Sequence, residues 1–136
     1  MTKEDFEKFS VEYERILRES ELCTIIADGA AKCSDGTTSY DRIWLNSSDF
    51  RLVVSVDINT DEIVVNIESC KDSPSSILER SEQFPQYYGK EFGWCWLAEN
   101  YLGNNDGFLI SFTGITPNIL FLGEGGCLRV FNLAET

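Results

Sequence analysis

The stretch Phe50-Arg51-Leu52-Val53-Val54-Ser55-Val56-Asp57-Ile58-Asn59-Thr60-Asp61-Glu62-Ile63-Val64-Val65-Asn66-Ile67-Glu68 decides the architecture. Phe50, Leu52, Val54, Val56 and Ile58 occupy alternate positions and therefore share one face of an extended chain. Ile63, Val65 and Ile67 repeat the pattern after the turn. Between them Asn59-Thr60-Asp61 is a short polar connection, and a β-hairpin is the economical reading.

The same period of two extends outward on both sides. Upstream, Leu22–Ala27 reads as a first strand ended by Asp28-Gly29, Ser34-Asp35-Gly36-Thr37 as a turn, and Tyr40–Asn46 as a further strand. Downstream, Gly93–Tyr101, Phe108–Thr113, Ile119–Leu122 and Cys127–Leu133 read as strands. The connectors between them hold most of the residues that tolerate positive φ. On the first of these, Trp94, Trp96 and Ala98 are two apart and so are expected to point together into the core. Cys70–Gln86 is the least hydrophobic interval, with a short helix expected near Ile77–Ser81 and limited by Pro85.

Before the strands, Lys3–Glu19 has Phe6, Phe9, Tyr13, Ile16 and Leu17 at helical spacing. Thr2 is placed to cap it and Asp5 to complete the cap. These patterns predict one α+β domain spanning residues 1–136. An N-terminal amphipathic helix packs on a mostly antiparallel, meandering sheet of six to eight strands.

Composition narrows the chemistry. The 136 residues contain no histidine and carry a formal net charge of −12. There is no imidazole base, no Ser–His or Cys–His pair, and the commonest zinc ligand is missing, so the reading leans away from an enzyme. The acidity is spread along the chain rather than gathered in a tail. It disfavours nucleic acid and anionic membrane surfaces as partners and favours basic ones. Cys23, Cys33, Cys70, Cys95 and Cys127 form no C-x-x-C pair and are preceded by a charged segment, which predicts reduced thiols in a cytoplasmic protein. No run is long and apolar enough for a membrane-spanning helix.

Asp57-Ile58-Asn59-Thr60-Asp61 with Glu68 resembles the ligand spacing of a calcium loop. Glu62, however, stands where that loop needs glycine, and the flanks are strand-like. A polar hairpin turn is the better reading, and no metal is assigned. Gly89-Lys90-Glu91-Phe92-Gly93 and Gly123-Glu124-Gly125-Gly126 match no phosphate-binding spacing, so no cofactor is assigned either. The candidate binding residues are Glu91, Glu99, Asp106 and Glu124, carboxylates on loops and strand ends of the aromatic-rich C-terminal half. No catalytic residue is assigned.

Tyr88-Gly89-Lys90-Glu91-Phe92-Gly93-Trp94-Cys95-Trp96, with Asn100 and Gly103…Asp106-Gly107-Phe108, resembles a motif of an uncharacterised family of small acidic bacterial proteins, a domain of unknown function. Ile119-Leu120-Phe121-Leu122 and Cys127-Leu128-Arg129-Val130-Phe131 continue the pattern. The resemblance covers roughly the last fifty residues and implies no activity and no catalytic residue. Some small acidic bacterial proteins of similar look act as immunity partners of secreted toxins, an analogy of class and not of residues.

The expectation is therefore a non-enzymatic acidic domain that binds a basic protein, with an immunity or inhibitor role against a cationic toxin as the specific version. Two alternatives stand beside it. One is a carboxylate-based hydrolase or small-ligand-binding protein. The other is a structural homo-oligomer, such as a homodimer joined through a strand edge or the helix stripe.

Overall fold

The computed structural model describes residues 1–70 and 80–133. The chain opens with α1 (Lys3–Ile16) and continues, among the described residues, through eleven strands. These are β1 (Thr24–Asp28), β2 (Ala31–Lys32), β3 (Thr38–Tyr40), β4 (Arg42–Asn46), β5 (Phe50–Val56), β6 (Ile63–Ser69), β7 (Arg80–Glu82), β8 (Phe92–Ala98), β9 (Gly107–Phe112), β10 (Ile119–Glu124) and β11 (Cys127–Asn132). All pairings are antiparallel, as the alternating hydrophobicity implied. The strands divide between two sheets rather than forming one meander. One has the order β6-β5-β4-β1-β7 and the other β2-β3-β11-β10-β9-β8. The short β2 and β7 escaped the sequence pattern because two or three residues cannot display a period.

The deciding hairpin forms as read, with Leu52 opposite Ile67 and Val54 opposite Val65. Leu52, Val54, Ile63 and Val65 are all buried between the sheets. They meet Ile25, Ile43 and Leu45 of their own sheet and Phe108, Ile110, Ile119, Phe121 and Leu128 of the other. Each such side chain contributes about 1.5–3 kcal/mol when fully buried. The expected short helix near Ile77–Ser81 lies mostly outside the described residues; Arg80 and Ser81 belong to β7.

Helix α1 closes the side of the sandwich between the two edge strands β6 and β8. Its capping box is complete: Asp5 N–H donates to Thr2 Oγ1 and Thr2 N–H donates to Asp5 Oδ2, each at 3.0 Å. The helix stops at Ile16, short of the expected Glu19, because Glu19 adopts a left-handed φ of 72°. Phe9 packs on Tyr13 and meets Phe108 edge-on. Tyr13 in turn meets Phe92 edge-on. This aromatic seam joins the helix to the second sheet.

One side-chain direction differs from expectation. A bulge shifts the register between Phe92 and Cys95, so two residues of β8 oppose Ser111. Phe92, Cys95 and Leu97 consequently face the core, while Trp94 is 46% exposed and Trp96 lies outside the core. Gly93 permits the bulge: a Cβ there would lie 2.5 Å from Ser111 Oγ and 2.8 Å from the carbonyl oxygen of Gly114. The exposed Trp94 ring carries the Arg18 guanidinium 4.4 Å from its centroid.

Candidate functional site

Three loops converge at one end of the sandwich. The first is the β5–β6 turn, residues 57–62. It is built by Asx chemistry, with Asp57 Oδ1 accepting from Asn59 N–H at 2.9 Å. Glu68 lies at the far end of the hairpin, where its Oε1 accepts from Arg51 Nε at 2.8 Å, so it takes no part in the turn. Among the described residues, no group of three or more Cys, Asp and Glu side chains is arranged to hold a metal ion.

The second loop is the β8–β9 connection, residues 99–106, which is organised around Asn100. Its Oδ1 accepts from Leu102 N–H at 2.8 Å and from Asn104 N–H at 3.2 Å, and its Nδ2 donates to Asp106 Oδ2 at 3.0 Å. The third is the β10–β11 turn, residues 124–126, where Gly125 and Gly126 both have positive φ. Their N–H groups form a small anion-binding nest, and the Asp61 carboxylate fills it at 3.2 and 2.7 Å. Glu62 Oε2 accepts from Asn105 N–H at 3.1 Å, and Ile63 N–H donates to the Asn105 carbonyl at 2.9 Å. The three loops are thereby tied to one another through side chains that the local sequence already placed in turns.

Of the four carboxylates singled out from sequence, Glu99, Asp106 and Glu124 come to this end. Glu99 follows the last residue of β8, and Asp106 precedes β9 directly across from it, since Ala98 pairs with Gly107. Glu124 closes β10, one residue after Gly123, whose N–H donates to the Asp106 carbonyl at 2.8 Å. Glu124 Oε2 also lies 3.3 Å from Arg129 Nε. Glu91 is not part of this group. It sits before the opposite end of β8, in a bridge with Glu21.

The end also holds residues that the sequence reading placed elsewhere. Ile58 is 77% exposed at the tip of the first loop, and Tyr101 and Leu102 are 95% and 69% exposed at the tip of the second. Alternation had assigned Ile58 to a buried face and Tyr101 to a strand. The available signal was the turn chemistry beside each, Asn59-Thr60-Asp61 and Gly103. Exposed Asp57 and half-buried Asp61 and Glu62 complete the acidic surround. The result is a negatively charged surface with apolar tips.

A cleft of about 590 Å³ runs from this end between the start of α1 and β8. Phe6, Cys95, Trp96 and Leu97 line it, with Lys3 on the helix side and Glu99 at its mouth. Burial pushes the Cys95 thiol up to about 12, so it stays protonated and poorly nucleophilic. Among the described residues no helix is long and apolar enough to cross a membrane.

No curated protein and no solved structure matches the chain. The family match is not confined to the motif-bearing C-terminal third: it runs over residues 4–136, and the chain belongs to the family of unknown function DUF6334.

Proposed function

We propose that this domain binds a basic protein through the three-loop end, and that the specific role is that of an immunity or inhibitor protein neutralising a cationic toxin in the cytoplasm of a bacterium. One observation carries the reading: Ile58, Tyr101 and Leu102 project from loops whose other side chains are largely carboxylates and amides. Apolar tips of this kind supply contact area on binding. The surrounding charge raises the association rate of a basic partner and rejects acidic ones. The thiols of Cys23, Cys33, Cys95 and Cys127 suit a reducing compartment.

The test is capture from a lysate of the source organism on immobilised wild-type protein and on a Glu99→Lys/Tyr101→Ala double variant, at low and high salt. The expected result is one basic protein retained by the wild type at low salt, weakened at high salt and lost from the variant. That protein, once purified, should lose its own activity when the wild type is added. Equal retention on both proteins, or no basic protein at either salt, overturns the reading.

A further inference from the structure

Among the described residues, the edge of β8 is closed along half its length and open along the other half. At the closed end the chain following α1 pairs with it. Glu19 N–H donates to the Phe92 carbonyl and Phe92 N–H to the Ser20 carbonyl, both at 2.9 Å. Tyr13 Oη then donates to the Gly93 carbonyl at 2.8 Å. Beyond Gly93 no described residue continues this pairing.

The backbone direction of the open half follows from β9. Asn118 N–H donates to the Ile110 carbonyl and Gly123 N–H to the Asp106 carbonyl, so Ile110 and Asp106 turn toward β10. Antiparallel pairing alternates, which leaves Gly107 and Leu109 turned toward β8. Their partners Ala98 and Trp96 therefore complete the ladder. Cys95 and Leu97 then direct their N–H and C=O groups outward, into the cleft between β8 and α1.

An open strand edge beside an apolar wall is the geometry of strand addition. The cleft volume of about 590 Å³ falls within the size range of ligand sites. Phe6 and Leu97 supply apolar wall, and Glu99 continues the row of Cys95 and Leu97 to the mouth, where the acidic loops begin. Lys3 stands on the helix wall, so positive charge on an occupant is best placed at the Glu99 end.

We infer that the cleft accepts an extended segment of the basic partner as an additional strand on β8, with apolar residues against Phe6 and Leu97 and a lysine or arginine at Glu99. The inference rests on the partner reading above and names how that partner is held.

The test uses the whole protein, isotopically labelled, and three capped seven-residue peptides. One alternates valine and lysine, one is the same peptide N-methylated at alternate backbone nitrogens, and one alternates valine and glutamate. With the valine–lysine peptide, the Cys95 and Leu97 amide resonances should shift and their hydrogen exchange should slow. N-methylation, which removes strand hydrogen bonds, should weaken binding about tenfold or more. The valine–glutamate peptide should bind more weakly than the lysine one, and Glu99→Gln should narrow that difference. Shifts confined to Tyr101 and Leu102 with no change at Cys95 and Leu97 overturn strand addition while leaving the loop surface as a binder. Indifference to N-methylation overturns it as well. Preference for the glutamate peptide overturns the placement of a basic residue at Glu99. No binding by any of the three overturns the strand addition, while the capture experiment above decides the basic-partner reading on its own.

Discussion

The Tyr13 hydroxyl donates to the carbonyl of Gly93 at 2.8 Å, joining the helix to the bulge of β8 across 80 positions of sequence. Both residues are buried, so the bond satisfies a carbonyl that water cannot reach. The Tyr13→Phe variant keeps the ring contacts with Phe9 and Phe92 and removes only this bond. It should cost about 1–3 kcal/mol, the penalty for orphaning a buried acceptor. Urea unfolding measures it, and a loss smaller than the scatter between repeats would mean the carbonyl finds another donor.

Alkaline pH should destabilise the fold through the same region. Burial raises the Tyr13 hydroxyl well above its ordinary 10.0 and the Cys95 thiol from 9.0 to about 12. Above pH 9 the unfolded chain releases the Cys95 proton and the folded chain keeps it, so stability present below pH 9 is lost as pH rises toward 12. Tyr13 adds its own loss above pH 10. Each group accounts for up to about 1.4 kcal/mol per pH unit within its window. Denaturant midpoints from pH 8 to 11 should fall with rising slope, and Cys95→Ala should flatten the first part of the decline.

At the acid end, Asp35 is the residue to watch. The Thr37 hydroxyl and backbone N–H, followed by Arg129, hold its carboxyl down at about 2. A depressed carboxylate favours the folded state above its unfolded value of 3.8, and that preference disappears as pH falls from there toward 2. Carboxyl carbon resonances followed by NMR should place its midpoint near 2. Thr37→Val should move the midpoint up, toward the unfolded value, and more than Arg129→Gln does. The reverse order would put the ion pair, and not the hydroxyl, in charge.

Asp61 combines a left-handed φ of 61° with a carboxylate seated on Gly125 and Gly126. Asp61→Ala keeps the unfavourable backbone and loses both bonds, and should cost about 1–3 kcal/mol. Asp61→Asn tolerates the conformation and retains one acceptor, so it should cost less. Melting temperatures compare them, and equal losses would show that the two-oxygen carboxylate on the nest, and not the backbone preference, dominates.

Tyr101→Ala and Leu102→Ala remove side chains that stand in water, so each should change stability by no more than about 0.5 kcal/mol. Their melting curves should overlay the wild type. A substantial drop in either would make the loop tip part of the folding machinery and weaken its claim as a contact surface.

Much of the fold was legible because its signals are local. Alternation from Phe50 to Glu68 needs only neighbours two apart, and the helix needs only its 3.6-residue stripe and a Thr2–Asp5 cap. The bulge at Gly93 was not legible, since an unbulged strand with the same alternation sends Trp94 inward. Glu99, Asp106 and Glu124 could be chosen as charged residues near turns. That they share an end while Glu91 does not depends on strand pairing, which no single stretch contains.

By itself, then, the sequence determined the periods, the turns, the acidic surface and membership of the family, because each is written in residues close together or in composition. The tertiary structure alone decided that the strands split into two sheets, that residues 57–62, 99–106 and 124–126 meet, and that among the described residues half of the β8 edge is left open. Those outcomes follow from which apolar faces cover one another most completely. Burial is a property of the whole chain, and it selects partners such as Asp61 and Gly126 that sequence distance would never put together.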